Sequence, residues 1–269
     1  MPSLPQVRIG SLSVGRLILG GNPFSGFSHR GPENDRAMRR FFTTARIKET
    51  FAQAERLGID TFCGRADNHI IRVLEEYWDE GGKIQWLAQS APEISPVADN
   101  LRRAALSGAK AFYIHGGVAD RLNRAGRLAE AKDALAAAHD AGLPAGIAGH
   151  DPATHRAALA LDLPVDFHMV CFYHPASRMG KSGEKADEGR YHPADREAAV
   201  ALVRELKRPC IAYKILAAGR NDPREAIPYA YRAIKATDAV CLGVHPGEDP
   251  RQMETDVALA REAMEKGGR

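Results

Sequence analysis

The chain has 269 residues, of which 44% are hydrophobic and 26% are charged, and its formal net charge is +3. This composition predicts a globular protein with a substantial core, and the interleaving of 37 basic with 34 acidic residues argues against a nucleic-acid-binding stripe. No apolar run approaches the ~20 residues of a membrane span, and no signal peptide is evident.

The four cysteines are scattered, and each lies in or just after an apolar run. They form no C-x-x-C pair and are too sparse for a disulfide framework, so we expect reduced, buried thiols. Such thiols favour a cytoplasmic protein. The cysteines are Cys63, Cys171, Cys210 and Cys241.

The predicted elements begin with a hairpin over residues 7–14 and continue as repeats of a short apolar strand, a loop and an amphipathic helix. The strands are predicted at 16–21, 58–62, 84–88, 111–114, 145–148, 167–172, 210–213 and 239–243. The helices are predicted near 45–58, 68–80, 96–107, 125–141, from 152, 194–206, 222–235 and 250–266. Eight such units predict an α/β fold, a (β/α)8 TIM barrel forming one domain over 1–269 with a short N-terminal hairpin.

Two predicted loops, 22–44 and 173–193, are unusually long for a compact domain. Long loops of this kind are often lids over a binding site, although a solvated loop has the same composition. The second loop mixes basic and acidic residues, which would suit a cover over a polar or anionic substrate.

Four residues near the strand ends are the candidate catalytic groups, because chemistry in a parallel barrel collects at that face. His115 ends the fourth strand and His150 follows the fifth, and both could exchange protons. Lys214 ends the seventh strand and could be a proton donor, an anion anchor or an imine-forming amine, or it could extend to the rim. Asp60, in the second strand, is predicted to pair with Lys214 across the barrel.

Four further residues are predicted to bind the substrate. Arg65 follows the second strand and Arg220 follows the turn at Gly219, and each could clamp a carboxylate or phosphate. Asn22 follows the first strand. Tyr213 precedes Lys214 and could be either a flat stacking surface or a core residue.

A ring of histidines at the strand ends raises the possibility of a divalent metal such as Zn, Mn or Fe. Its predicted members are His115, His150, His174 and His245, although ordinary loop histidines would give the same pattern. The sequence does not decide which side chains of the sixth strand point into the barrel. Either His168 and Val170 point into the barrel, or Cys171 does.

Five segments resemble the aldo-keto reductase superfamily, and they extend along nearly the whole chain. They are 8–20 (RIGSLSVGRLILG), 57–61 (LGIDT), 113–115 (YIH), 172–175 (FYHP) and 211–213 (IAY). The resemblance implies the same barrel and an NADPH cofactor. It also implies that Asp60 and His115 match two members of the catalytic tetrad and that Tyr213 matches the tyrosine that stacks on the nicotinamide.

The same resemblance implies that other family residues are replaced. The catalytic tyrosine would correspond to Arg65, and the lysine beside it to Gln89 or Ser90. The family residues that hold the nicotinamide carboxamide would correspond to Ala148, Gly149 and Val170. A small polar residue of the family's strand seven would correspond to Lys214. A chain without these groups would lack the proton source and the cofactor orientation that hydride transfer needs.

The sequence therefore predicts an enzyme of non-redox acid/base chemistry, a lyase, isomerase or hydrolase, acting on a small sugar-like or carboxylated molecule. The first alternative is an atypical NADPH-dependent oxidoreductase. The second is a barrel that binds a small molecule or partner without catalysis. Neither a nucleic-acid partner nor a membrane is expected, and an oligomer is possible.

Overall fold

The computed structural model describes residues 3–174 and 191–267. Ten strands lie in these ranges: β1 (Gln6–Ile9), β2 (Leu12–Gly15), β3 (Leu17–Gly20), β4 (Thr61–Arg65), β5 (Gln85–Gln89), β6 (Ala111–Ile114), β7 (Ala145–Gly149), β8 (Phe167–Cys171), β9 (Cys210–Tyr213) and β10 (Ala239–Gly243). The last eight are parallel and close into a barrel in the order β10-β3-β4-β5-β6-β7-β8-β9. The predicted (β/α)8 TIM barrel is confirmed.

The described ranges contain ten α-helices and one 3-10 turn outside this barrel. The helices are α1 (Pro32–Phe41), α2 (Thr44–Arg56), α3 (Asn68–Asp79), α4 (Val97–Leu106), α5 (Gly116–Arg124), α6 (Ala131–Asp140), α7 (Pro152–Ala160), α8 (Pro193–Glu205), α9 (Pro223–Ala233) and α10 (Gln252–Gly267). None of them combines the length and apolar character that a membrane crossing requires.

Two of these helices were not predicted. Helix α1 lies inside the predicted loop 22–44, because Pro32 at the first helical position starts a helix. Helix α5 was missed because Gly116 and Gly117 lower helix propensity, while His115 caps its first turn. The other predicted loop, 173–193, falls mostly on residues 175–190, which lie outside the described ranges.

The hairpin of β1 and β2 closes the N-terminal end of the barrel. Its apolar side chains Val7, Ile9 and Val14 pack in one cluster with interior residues such as Ile18 and Phe167. Because this end is filled, the C-terminal ends of the strands form the open face of the barrel.

The facing of β8 is now fixed, and the first of the two predicted orientations is wrong. Met169 packs with the interior cluster, whereas Val170 belongs to the core between the strands and the helices. His168 also points outward, where its Nδ1 lies 3.0 Å from Nδ1 of His155 on α7. Successive strand residues alternate between faces, so Cys171 takes the interior facing.

Candidate functional site

The barrel opens at the C-terminal ends of its strands into a cavity of about 620 Å³. This is the face at which (β/α)8 enzymes carry their active sites. The polar side chains at the cavity wall come from seven strand ends and their loops: Asn22, His29, Arg30, Arg65, Gln89, Glu93, His115, His150, Tyr213, Lys214, His245 and Glu248.

His150 and Asp120 form a hydrogen-bonded pair at this wall. Nδ1 of His150 lies 2.8 Å from Oδ2 of Asp120, and the buried carboxylate also accepts bonds from the His150 backbone N–H and from Thr154 Oγ1. Burial acts to raise the pKa of Asp120, but the bonds from His150 and Thr154 hold it below its usual value. A carboxylate on Nδ1 keeps the proton there, which leaves the lone pair of His150 on Nε2. Burial lowers the pKa of His150 despite the bond to Asp120, so the ring is neutral near pH 7.

Asp120 was not predicted as a site residue because no helix was predicted over residues 116–124. On α5 this residue lies in the second turn after His115, and the contacts between α5 and β7 bring it beneath His150. A helix predicted over 116–124 would have placed Asp120, five positions after His115, close to the strand ends.

His115 lies across from His150, with ring centroids 6.5 Å apart. Its Nδ1 accepts a hydrogen bond from the Gly117 N–H at 3.0 Å, so the neutral ring carries its proton on Nε2. Burial, followed by the charges of His150 and Arg65, lowers the pKa of His115 to about 4. The two histidines therefore present opposite functions near pH 7, since His115 donates at Nε2 and His150 accepts there.

Lys214 follows β9 with a left-handed backbone, φ 57°, and lines the cavity. Its Nζ lies 5.2 Å from the ring centroid of Tyr213. Burial lowers the pKa of Lys214, while the neighbouring Cys171 and Cys241 act in the opposite direction. No carboxylate in the described ranges forms an ion pair with this amine.

Tyr213 occupies the barrel interior beside His150, with ring centroids 6.0 Å apart. Its hydroxyl donates a long hydrogen bond of 3.4 Å to the Gly149 carbonyl. Burial raises the pKa of Tyr213 well above its usual value, so the phenol stays protonated.

His29 is a cavity residue that the sequence analysis did not single out. It lies in the loop after β3 with φ 55°, and its Nε2 is buried without a hydrogen-bond partner among the described residues. Burial, then the charge of Lys214, lowers its pKa to about 3. An unsatisfied buried nitrogen beside a cavity is a group that a bound molecule can satisfy.

Arg65 reaches the cavity but is already engaged, so it differs from the free clamp that the sequence predicts. Its guanidinium binds both carboxylate oxygens of Glu93, and Nε lies 3.2 Å from Asp67. The same group lies over the Phe27 ring, 5.2 Å from its centroid. Arg65 therefore holds the cavity rim together.

Arg220 is not at the cavity wall, which corrects the prediction that it binds the substrate. It stacks on Tyr191 at 4.4 Å and donates to the carbonyls of Ala217 and His29. It therefore braces the loop after β9 against the loop after β3. Asn22 does line the cavity, and its carbonyl accepts the Phe27 N–H.

Asp60 lies at the opposite end of the barrel, so its predicted pairing with Lys214 is wrong. The β4 strand begins only at Thr61, and the Asp60 carboxylate accepts bonds from the Gly15 N–H at 2.9 Å and Gln6 Nε2 at 2.8 Å. Asp60 thus fastens the hairpin to the barrel. The family's catalytic aspartate is not represented in the cavity by Asp60.

The predicted four-histidine metal site is not assembled. His174 lies near His150, with ring centroids 5.7 Å apart, but His245 packs between Phe41 and Phe42 and lies 3.3 Å from Glu248. Nδ1 of both His115 and His150 is already hydrogen-bonded. Within residues 3–174 and 191–267, no three His, Cys, Asp or Glu side chains stand close enough to hold one metal ion.

The fit of a nicotinamide, which the fold resemblance implies, depends on a free face of Tyr213. Nζ of Lys214 lies over that ring, and the His150 ring packs against it in a T-shaped arrangement. Gly149, beside the Tyr213 hydroxyl, has no side chain that could hold a carboxamide, and Val170 faces the helices. These residues do not fit a stacked nicotinamide in the arrangement observed.

Comparisons with known proteins show the fold. No family model matches the chain, and no curated protein matches its sequence. A Pseudomonas aeruginosa chain described as an aldo-keto reductase has a TM-score of 0.61 at 18% identity, covering 96% of this chain and 95% of its own. The glycerol dehydrogenase of Gluconobacter oxydans has a TM-score of 0.58 at 12% identity, with 97% and 94% coverage.

A non-redox barrel is also similar. The truncated 3-deoxy-D-arabino-heptulosonate 7-phosphate synthase of Thermotoga maritima has a TM-score of 0.52 at 16% identity, with 98% and 91% coverage. The expected resemblance to the aldo-keto reductase barrel is confirmed for this divergent chain. These likenesses show the barrel fold, and a shared fold does not determine the reaction.

Proposed function

We propose that this chain is an enzyme that moves a proton within a small polar carbonyl or hydroxyl compound, as an isomerase or a lyase does. The observation that carries the proposal is the buried Asp120–His150 pair beside His115 in one cavity, with the two imidazole centroids 6.5 Å apart. A proton acceptor and a proton donor that line the same cavity are what enolisation requires.

The proposed reaction divides the work between the two imidazoles. Nε2 of His150 takes a proton from the carbon next to a carbonyl, and Asp120 stabilises the imidazolium that forms. Nε2–H of His115 donates a hydrogen bond to the carbonyl oxygen as negative charge develops there. A neutral imidazole suits this second task, and the lowered pKa of His115 favours that state. Return of the proton to a neighbouring atom completes an isomerisation, whereas loss of a leaving group completes an elimination.

The proposal is tested by solvent-proton exchange, which needs no knowledge of the product. The protein is incubated in D2O with a panel of hydroxy-aldehydes, hydroxy-ketones and 2-keto acids, and loss of the carbon-bound proton signal is followed by NMR. We expect exchange with at least one class, and His150→Gln should slow it by about 10²-fold or more.

A matched control exists on the outer surface of the barrel. His139 Nε2 lies 2.7 Å from Asp166, which reproduces the His–Asp pair away from the cavity. His139→Gln should leave the exchange rate unchanged. Exchange with none of the compounds, or exchange that survives His150→Gln, contradicts the proposal.

The second candidate is a nicotinamide-dependent oxidoreductase, and the reductases among the structural neighbours favour it. It ranks second because Lys214 and His150 already cover Tyr213. Fluorescence titration with NADPH separates the two candidates. Micromolar binding together with NADPH-dependent carbonyl reduction would replace the first proposal with this one.

We also propose a small molecule as the ligand rather than a nucleic acid or a membrane. A cavity of about 620 Å³ supports this proposal, because it matches the size of small-molecule sites. The buried free thiols support a reducing compartment such as the cytoplasm.

A further inference from the structure

The proposed proton transfer by the two histidines gives Lys214 no role, although its side chain lines the same cavity. We propose that its Nζ forms an imine with the carbonyl carbon of the substrate, which would make this chain an amine-dependent covalent catalyst. This inference deepens the proposed function and rests on its claim that the ligand is a small carbonyl compound.

The surroundings of Lys214 favour a neutral amine. The residue lies at the end of β9 beside Cys171, Cys241 and Tyr213, none of which is a carboxylate. No carboxylate in the described parts of the chain pairs with it. An ammonium that is removed from water without a partner is costly, so the uncharged and nucleophilic form is favoured.

Lys235 shows the opposite environment in the same protein. Its Nζ lies 3.2 Å from Asp238 Oδ1 and donates to the Val203 carbonyl at 2.9 Å. This partly buried lysine therefore has the carboxylate and carbonyl partners that Lys214 lacks among the described residues. The contrast makes Lys235 the internal reference for any amine chemistry at Lys214.

The covalent step balances without an oxidant or reductant. The Lys214 amine attacks the carbonyl carbon, a C–N bond forms, and the carbonyl oxygen becomes a hydroxyl as a proton passes from nitrogen to oxygen. Loss of that hydroxyl as water forms the C=N bond and takes up one proton. If this is the remaining N–H proton, a neutral imine is left; if an imidazolium supplies it, the imine keeps its proton. His150 lines the same cavity as Lys214 and can carry these protons. The imine then draws electrons from the neighbouring carbon, which makes its proton easier for His150 to remove.

Reductive trapping of the imine tests the inference on the full chain. The protein is incubated at pH 7 with glycolaldehyde, dihydroxyacetone or pyruvate in the presence of sodium cyanoborohydride, and peptide mapping by mass spectrometry locates the modified lysines. We expect one adduct at Lys214, with labelling at least about tenfold above Lys235, because each unit by which a pKa falls raises the free-amine fraction tenfold. Lys214→Arg and Lys214→Met should remove the adduct, and Lys235→Arg should not.

The wild-type peptide map decides the question even where a variant fails to fold. Labelling spread over surface lysines, or no more labelling at Lys214 than at Lys235, overturns the inference. The outcomes of these experiments distinguish failure of this inference from failure of the proposed function. Proton exchange that depends on His150 without any adduct at Lys214 removes the imine but keeps the acid/base enzyme, whereas absence of both removes both.

Discussion

Nδ1 of His155 on α7 lies 3.0 Å from Nδ1 of His168 on β8, and both rings are fully buried between the helix and the strand. One nitrogen must donate and the other must accept, so at least one ring must stay neutral and the bond is lost when both rings are protonated. Burial lowers the pKa of His155 to about 4 and, together with the charge of His155, lowers the pKa of His168 to about 3. The packing of α7 against β8 at this pair therefore depends on pH.

The first prediction is a loss of stability in mild acid. The unfolded chain takes up protons at these histidines below pH 6.5, whereas the folded chain does not until about pH 4 to 3, so the free energy of unfolding falls through that interval. The loss is on the order of 3 kcal/mol for one ring, at about 1.4 kcal/mol for each unit of pKa. Urea unfolding at pH 7.5 and 4.5 measures it.

The variant His155→Phe/His168→Phe replaces both partners by rings of similar shape and should remove the part of this pH dependence that the two rings cause. His29 and His115, whose pKa values burial lowers to about 3 and about 4, should keep their part. His139→Gln, on the surface, should keep it. An equally steep pH dependence in the double variant would show that other groups cause it.

The second prediction concerns the Asp120 carboxylate. Asp120→Asn cannot hold the proton on Nδ1 of His150 in the same way, so we expect proton exchange to fall by about 10² to 10⁴-fold. Nitrogen-15 NMR of the imidazoles checks the physical cause independently of activity. The wild-type ring should show a protonated Nδ1 and a bare Nε2, and the variant should not.

Asp166→Asn is the matched control for Asp120→Asn, since it removes the partner of His139 outside the cavity. It should change neither exchange nor the signals of His150. A wild-type His150 protonated on Nε2 would contradict the assignment of this histidine as the base.

The third prediction is slow reaction of all four cysteines in the native protein. Burial raises the pKa of Cys171 to about 11 and that of Cys210 to about 12, and it also raises the pKa of Cys63. Thiolate is the reactive form, so a chromogenic disulfide reagent at pH 8 should react roughly 100-fold more slowly than with the denatured chain. A fast thiol at Cys241, which lines the cavity beside Lys214, would place an anion next to this amine and contradict the environment that favours its neutral form.

The barrel followed from the sequence because its interior strands are continuous apolar runs. Strands β6, β9 and β10 have the predicted bounds, whereas β4 begins three residues later than predicted since the run from Gly58 opens with a turn. That shift is what placed Asp60 in the wrong half of the barrel. The predicted strand ends also placed His115, His150 and Lys214 at one face of the barrel, where all three line the cavity.

The rest of the site depends on conformations that no periodicity reveals. Asp120 reaches His150 only because α5 starts at a histidine cap followed by two glycines, and His29 enters the cavity through a left-handed residue in a loop. The facing of β8 could not be read from an apolar run that is buried on both sides. Arg65 was identified, but its pairing with Glu93 joins two loops that are 28 residues apart.

The fourth prediction uses that pairing to expose an anion-binding group at the cavity. The side chain of Arg65 is 12% exposed, and Glu93 covers its outer edge. Glu93→Gln removes the charge and should free the guanidinium, so we expect the affinity for inorganic phosphate, measured by calorimetry, to rise about tenfold, or about 1.4 kcal/mol. Glu130→Gln is the control, because it frees Arg127 on the open surface, where solvent screens the charge. Adding Arg65→Met to Glu93→Gln should abolish the gain, and an unchanged affinity in Glu93→Gln alone would show that Arg65 does not face bound anions.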